Sequence, residues 1–191
     1  MADQDHTGRW RRHERAKTVP DAIELLRRSV LQIRRAPDDV EVRRHVRAIA
    51  AEHELWEQLA GLLADEARAH GDRPEIAAVL YEELADVYHA LDQPLETIRA
   101  MESLVAIAPD RHEHHERIAA LYRQAGAWSK AADAFEEVAK RAPEQVARAA
   151  LLDAARLHRE NRSFERAAQL FRSIVERRPT DLLAWRALDD V

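Results

Sequence analysis

Residues 112–143 read HEHHERIAALYRQAGAWSKAADAFEEVAKRAP, and this stretch decides the fold. Ile118, Ala119, Leu121 and Tyr122 recur at helical spacing and form one apolar stripe, and Ala131, Ala134, Phe135 and Val138 form a second. Gly126 falls between them, where a residue that tolerates a left-handed backbone can end the first helix. Two helices joined by so short a turn pack antiparallel.

The same punctuation continues outward from this unit. Pro109, Pro143 and Pro179 close the segments VAIAP, AKRAP and VERRP, at intervals of 34 and 36 residues. Pro37, in RRAP, precedes Pro109 by 72 residues, or two intervals of 36, with Gly71-Asp72 at the missing middle boundary. A period of this length marks an array of stacked helix pairs. Helix starts recur in phase as well. Asp38 is followed three residues later by Glu41, Asp72 by Glu75 and Asp110 by Glu113, which predicts reciprocal capping boxes at those aspartates, each contributing on the order of 1 kcal/mol.

Composition agrees with an all-α chain. Of 191 residues only four are glycine and seven proline, while alanine, leucine, arginine and glutamate, all strong helix formers, dominate. Apolar residues at 46% can supply a continuous core. Charged residues reach 34% with a formal net charge of only -5, which argues against binding nucleic acid through bulk positive charge. The absence of cysteine removes disulfides, thiol nucleophiles and thiolate metal sites. No apolar run has the length of a signal-peptide core or a membrane span, so the chain reads as soluble and cytoplasmic.

The unit 112–143 resembles a tetratricopeptide repeat, with Ala119 at its eighth position, Tyr122 at the eleventh, Ala131 at the twentieth, Phe135 at the twenty-fourth and Pro143 at the thirty-second. The unit 78–109 is similar through Tyr81, Leu84, Ala85 and Tyr88, with Thr97 and Met101 replacing the usual alanine and aromatic. The unit 148–179 keeps Ala155, Ala167 and Phe171 but has His158 in place of the tyrosine. The segment 40–71 is a divergent repeat, with Leu59 at the small twentieth position and Trp56 in phase with Trp128. Residues 20–36 resemble a second helix without its partner, and residues 180–191 a first helix that would expose Leu182, Trp185 and Leu188. The resemblance implies a right-handed α-solenoid of about four antiparallel helix pairs over residues 20–191, after a basic arm at 1–19.

It also implies function through a concave groove lined by the first helix of each pair. The groove positions are Val79, Glu82, Asp86 and His89, then Glu113, Glu116, Arg123 and Gln124, then Leu152, Arg156, Arg159 and Glu160. Their charge changes sign along the array, which suits a peptide or helix basic toward the early repeats and acidic toward the late ones. The family groove that clamps a terminal carboxylate with lysines and asparagines does not fit, because Glu82, Asp86 and Glu116 occupy comparable places.

Other chemistry is weaker. His112, His115 and Glu116 share a helical face, but the zinc-protease pattern needs a histidine where Glu116 stands, and His115 sits at a packing position. No metal or cofactor is expected. Carboxylates such as Glu136 and Glu137 lie at ion-pair spacing from arginines such as Arg141, and there is no glycine-rich phosphate loop or nucleophile elbow, so no enzyme activity is expected. The arm Arg9-Trp10-Arg11-Arg12-His13-Glu14-Arg15 could contact phosphates and stack a base, and helical repeats that read RNA are the main alternative. A regulatory segment of a larger protein is another. The reading favoured is a protein-binding scaffold, with self-association through the C-terminal helix as a further option.

Overall fold

The computed structural model describes residues 18–191, so residues 1–17 of the basic arm lie outside the described residues, while Thr18 and Val19, assigned to the arm, instead begin the first helix. Ten α-helices account for the regular structure among those residues: α1 (Val19–Ile33), α2 (Val40–Glu52), α3 (Trp56–Ala69), α4 (Pro74–Ala90), α5 (Pro94–Ile107), α6 (His112–Gln124), α7 (Trp128–Arg141), α8 (Glu144–Glu160), α9 (Phe164–Arg177) and α10 (Leu182–Asp189). They divide into two compact units that meet in sequence at Leu62 and Leu63, within α3.

In the unit ending at Leu62, α1 packs on α2. Ala22, Leu26, Val30 and Ile33 form the buried stripe of α1, and Val42, Val46 and Ile49 that of α2. In the unit from Leu63 each helix from α4 onward packs on its neighbours in sequence, giving antiparallel pairs α4–α5, α6–α7 and α8–α9, followed by α10. The all-α solenoid is therefore present. Its seams are made of small residues: Ala85, Ala119, Ala131, Ala155 and Ala167 are all fully buried. Phe171 fills the space beside them with no exposure at all, and Tyr122 and Phe135 are also buried, whereas Tyr81 and Tyr88 are half-buried. No helix among the described residues is long and apolar enough to cross a membrane.

The turns explain the period, and correct the expected caps. Asp39 N donates to Ala36 O, Arg73 N to His70 O, Arg111 N to Ala108 O and Asp181 N to Arg178 O, each closing a β-turn. Pro37, Gly71, Pro109 and Pro179 all occupy the second position of these turns, which favours proline's fixed φ. Gly71 thus does stand at the boundary that lacks a proline. The third position is taken by Asp38, Asp72, Asp110 and Thr180. The aspartates expected to cap the helices are absorbed by the turn, and the caps move one residue on, to Asp39, Arg73 and Arg111. Of these three only Asp39 caps through its side chain, accepting from Glu41 N at 2.9 Å.

Within each pair a second turn recurs. Gly126 has φ 71, the left-handed conformation expected of it, and Glu54, Asp92 and Arg162 adopt the same conformation in phase, at φ 55, 54 and 60. Around the last three of these turns the backbone bonds are alike: Asp92 N to His89 O with Gln93 N to Tyr88 O, Gly126 N to Arg123 O with Ala127 N to Tyr122 O, and Arg162 N to Arg159 O with Ser163 N to His158 O. This is the Schellman ending, which satisfies carbonyls that the helix would otherwise leave open. Three of the four sites carry a side chain where glycine is unstrained. Replacing Arg162 by glycine is expected to raise stability by about 0.5–1 kcal/mol, because relief of the left-handed strain outweighs the extra freedom of the unfolded chain. Urea unfolding measures it, and a loss of stability would show that the arginine side chain contributes more than its backbone costs.

Candidate functional site

The groove positions lie on α4, α6 and α8. Val79, Glu82 and Asp86 are half-buried and His89 is exposed on α4, and Glu113, Glu116, Arg123 and Gln124 are all exposed on α6. On α8, Arg156 and Glu160 are exposed, Arg159 is half-buried, and Leu152 is buried in the core, so it adds nothing to an open surface.

The structure ties the first helices of successive pairs together. Arg117 Nη2 on α6 donates to Asp86 Oδ1 on α4 at 2.5 Å. Burial lowers the pKa of the neighbouring His114, and Glu82 works against that shift. Arg117 was missed in the sequence, and its charge partly offsets the acidic patch of Glu82 and Asp86, whereas the lowered pKa of His114 favours its neutral form. Arg123 lies over the Phe135 ring at 5.8 Å, which anchors its charge at the edge of the face. Arg156 stands 3.5 Å from Asp153 in an exposed pair of the kind that contributes little.

Two larger polar networks join consecutive pairs. Tyr122 Oη donates to Glu102 Oε1 at 2.6 Å, Lys130 Nζ donates to the same oxygen at 3.2 Å, and the ammonium also lies 5.1 Å from the Tyr122 ring centre. One repeat later His158 Nε2 pairs with Glu136 Oε1 at 3.0 Å, and Arg166 donates to both oxygens of the same carboxylate. His158 is therefore no defect in the repeat. It replaces the tyrosine as the group that pairs with a glutamate of the preceding helix. The phase of Glu102 with Glu136, 34 residues apart, was the signal that could have revealed it.

The carboxylate pKa values follow from these partners. The Tyr122 hydroxyl first, and Lys130 after it, lower that of Glu102. Burial pushes Glu136 upward, but hydrogen bonds from Arg166 and His158 outweigh it and the net shift is downward. Tyr122 is pushed up, by burial and then by its bond to Glu102.

His115, considered as a metal ligand, instead pairs through Nε2 with the carbonyl of Pro109 at 2.8 Å, in the way that Trp185 Nε1 donates to Pro179 O at 2.9 Å. These two residues share the fourth position of their helices, and each ties its helix to the turn before it. The ligand atoms of Asp133, Glu136 and His158 come within 4.8 Å of one another, yet the Arg166 guanidinium on Glu136 already supplies the positive charge a cation would bring. At the C-terminal end Leu182 and Trp185 are exposed, as anticipated, and Leu188 is half-buried.

Residues 117–144 match a family model described as a tetratricopeptide repeat. The chain carries a tetratricopeptide repeat. No curated protein sequence matches the chain. Among solved structures it is similar to MamA, at 15% identity over 82% of this chain and 88% of that one, with a TM-score of 0.47. A tetratricopeptide repeat protein from Parabacteroides merdae shares 15% identity over 90% of this chain and 66% of its own, with a TM-score of 0.48. YrrB, described as a tetratricopeptide protein with an unusual peptide-binding site, shares 16% over 88% and 84%, with a TM-score of 0.46. The matched tetratricopeptide repeat spans α6 from Arg117 through α7, and it contains both the Tyr122–Lys130 half of one network and the Glu136 acceptor of the next.

Proposed function

We propose that the chain is a non-enzymatic interaction scaffold that presents the first helices of its tetratricopeptide-type pairs to a peptide or helix of a partner protein. One observation carries this reading. The groove side chains of α4 and α6 begin acidic, at Glu82, Asp86, Glu113 and Glu116, while Arg123, Arg156 and Arg159 come later in the chain with Glu160 as the one acid among them, and these groups are at least partly open to solvent. A partner segment of the opposite order, basic then acidic, would be steered into register by that polarity. The helices that hold the side chains are fixed by the buried alanine seams, so little ordering is needed on binding.

The test is affinity capture from the source cells with the wild-type chain and with a double variant, Glu82→Lys with Glu116→Lys, that leaves the Asp86–Arg117 pair intact. Capture of a defined protein by the wild type and its loss from the variant, with the helical circular dichroism of the two unchanged, is the expected outcome. An identical set of captured proteins would move the binding surface elsewhere.

A further inference from the structure

A cleft of about 250 Å³ opens between α7, α8 and α9, and none of the residues lining it belongs to the groove described above. Its floor is apolar and made of small or branched side chains, among them Ala142, Ala147, Leu151 and Ile174. The rim is cationic, with Arg148, Arg177 and Arg178 against a single acid, Glu144.

Two of these arginines are already oriented. Arg148 makes a two-point pair with Asp181, through Nε to Oδ2 and through Nη2 to Oδ1 at 2.9 Å. Arg178 reaches Glu144 Oε1 through Nε at 2.8 Å and Nη2 at 2.7 Å. A guanidinium has five N–H donors, so each retains donors while losing the freedom that binding would otherwise have to remove. Arg177 is exposed and has no hydrogen bond or ion pair among the described residues. Its charge is available, on a chain whose net charge is -5.

We propose that this cleft docks an acidic, aliphatic segment of a partner polypeptide, with a leucine-like side chain on the floor and a neighbouring carboxylate against Arg177 and the spare donors of Arg148 and Arg178. A single-stranded nucleic acid fits less well. It needs a flat aromatic surface for base stacking, and the floor has no aromatic residue. The site is independent of the groove on α4, α6 and α8, so either can fail without the other.

The probe is a capped tetrapeptide alternating leucine and glutamate, titrated into the full chain labelled with nitrogen-15 and followed by amide chemical shifts. Expected are saturable shifts centred on Ala147, Leu151 and Ile174, unchanged by Glu116→Lys in the groove. A peptide with glutamine in place of glutamate, and the variant Arg177→Glu, are each expected to bind about tenfold more weakly or worse, with Arg177→Gln intermediate. Both substitutions fall on an exposed residue with no ion pair, and an unchanged spectrum elsewhere confirms that the fold is kept. Absence of saturation at millimolar peptide, equal binding by the glutamine peptide or by Arg177→Glu, or displacement by a thymidine oligonucleotide at low salt would each overturn the proposal.

Discussion

Replacing Phe171 by alanine is expected to lower stability by about 3–5 kcal/mol, the largest effect of any single core truncation in the chain. Phe171 is the bulkiest of the fully buried side chains and has no exposure. Its ring lies on α9, whose other buried positions are Ala167, Leu170, Ile174 and Val175. Ala167, one turn earlier on the same helix, is itself fully buried and has no longer side chain to move into the vacated space. The lost ring leaves a cavity rather than a tighter core. Urea unfolding followed by circular dichroism measures the loss, and Phe171→Leu should recover part of it. A change below about 1 kcal/mol would mean that the ring is not the filler of this seam.

Glu136→Ala is expected to cost about 2–4 kcal/mol, and Glu102→Ala less than about 1 kcal/mol, although the two glutamates hold equivalent networks. Exposure separates them. The Glu136 side chain is 11% exposed and Glu102 41%. Without Glu136 the buried imidazole of His158 loses its partner, whereas Arg166 can turn to solvent, which keeps the loss below that of a fully buried pair. The pH dependence carries a sign. Glu136 has its pKa held below the ordinary 4.5, so its ionised form is favoured by folding. That stability is present above about pH 4.5 and is lost as the pH falls through the folded value. The stability gap between wild type and Glu136→Gln should therefore be widest near neutrality and shrink on acidification, as read by urea midpoints at the two conditions. A gap that stays constant would show that the carboxylate charge is not what His158 and Arg166 recognise.

The fold was legible in the sequence because packing in such an array repeats at a fixed period. The prolines and Gly126 announced their role through spacing, and alanines 119 and 131 through helical spacing together with the resemblance to the repeat. What escaped was decided across the period. Asp72 and Asp110 read as caps because the local spacing to a glutamate was right, but the turn closed by Arg73 and Arg111 competes for the same residues and wins. Arg117 pairs with Asp86 from 31 residues away, and no local pattern marks it. Leu152 occupies a groove position by count and is buried in fact, among the apolar side chains of α8. The arginine-rimmed cleft is visible only once α7, α8 and α9 are brought together, because Arg148 and Arg178 are 30 residues apart.

The two glutamate networks also set where the array gives way. The link from Glu136 to α8 and α9 is shielded from water, while the one from Glu102 to α6 and α7 is open to it and to salt. Helices α6 to α9 should therefore move as one block, with the easier opening between α5 and α6, inside the acidic stretch of the proposed groove that runs from Glu82 on α4 to Glu116 on α6. Ionic strength would then act on the curvature that a partner meets as well as on its attraction to the surface, through one half-exposed carboxylate.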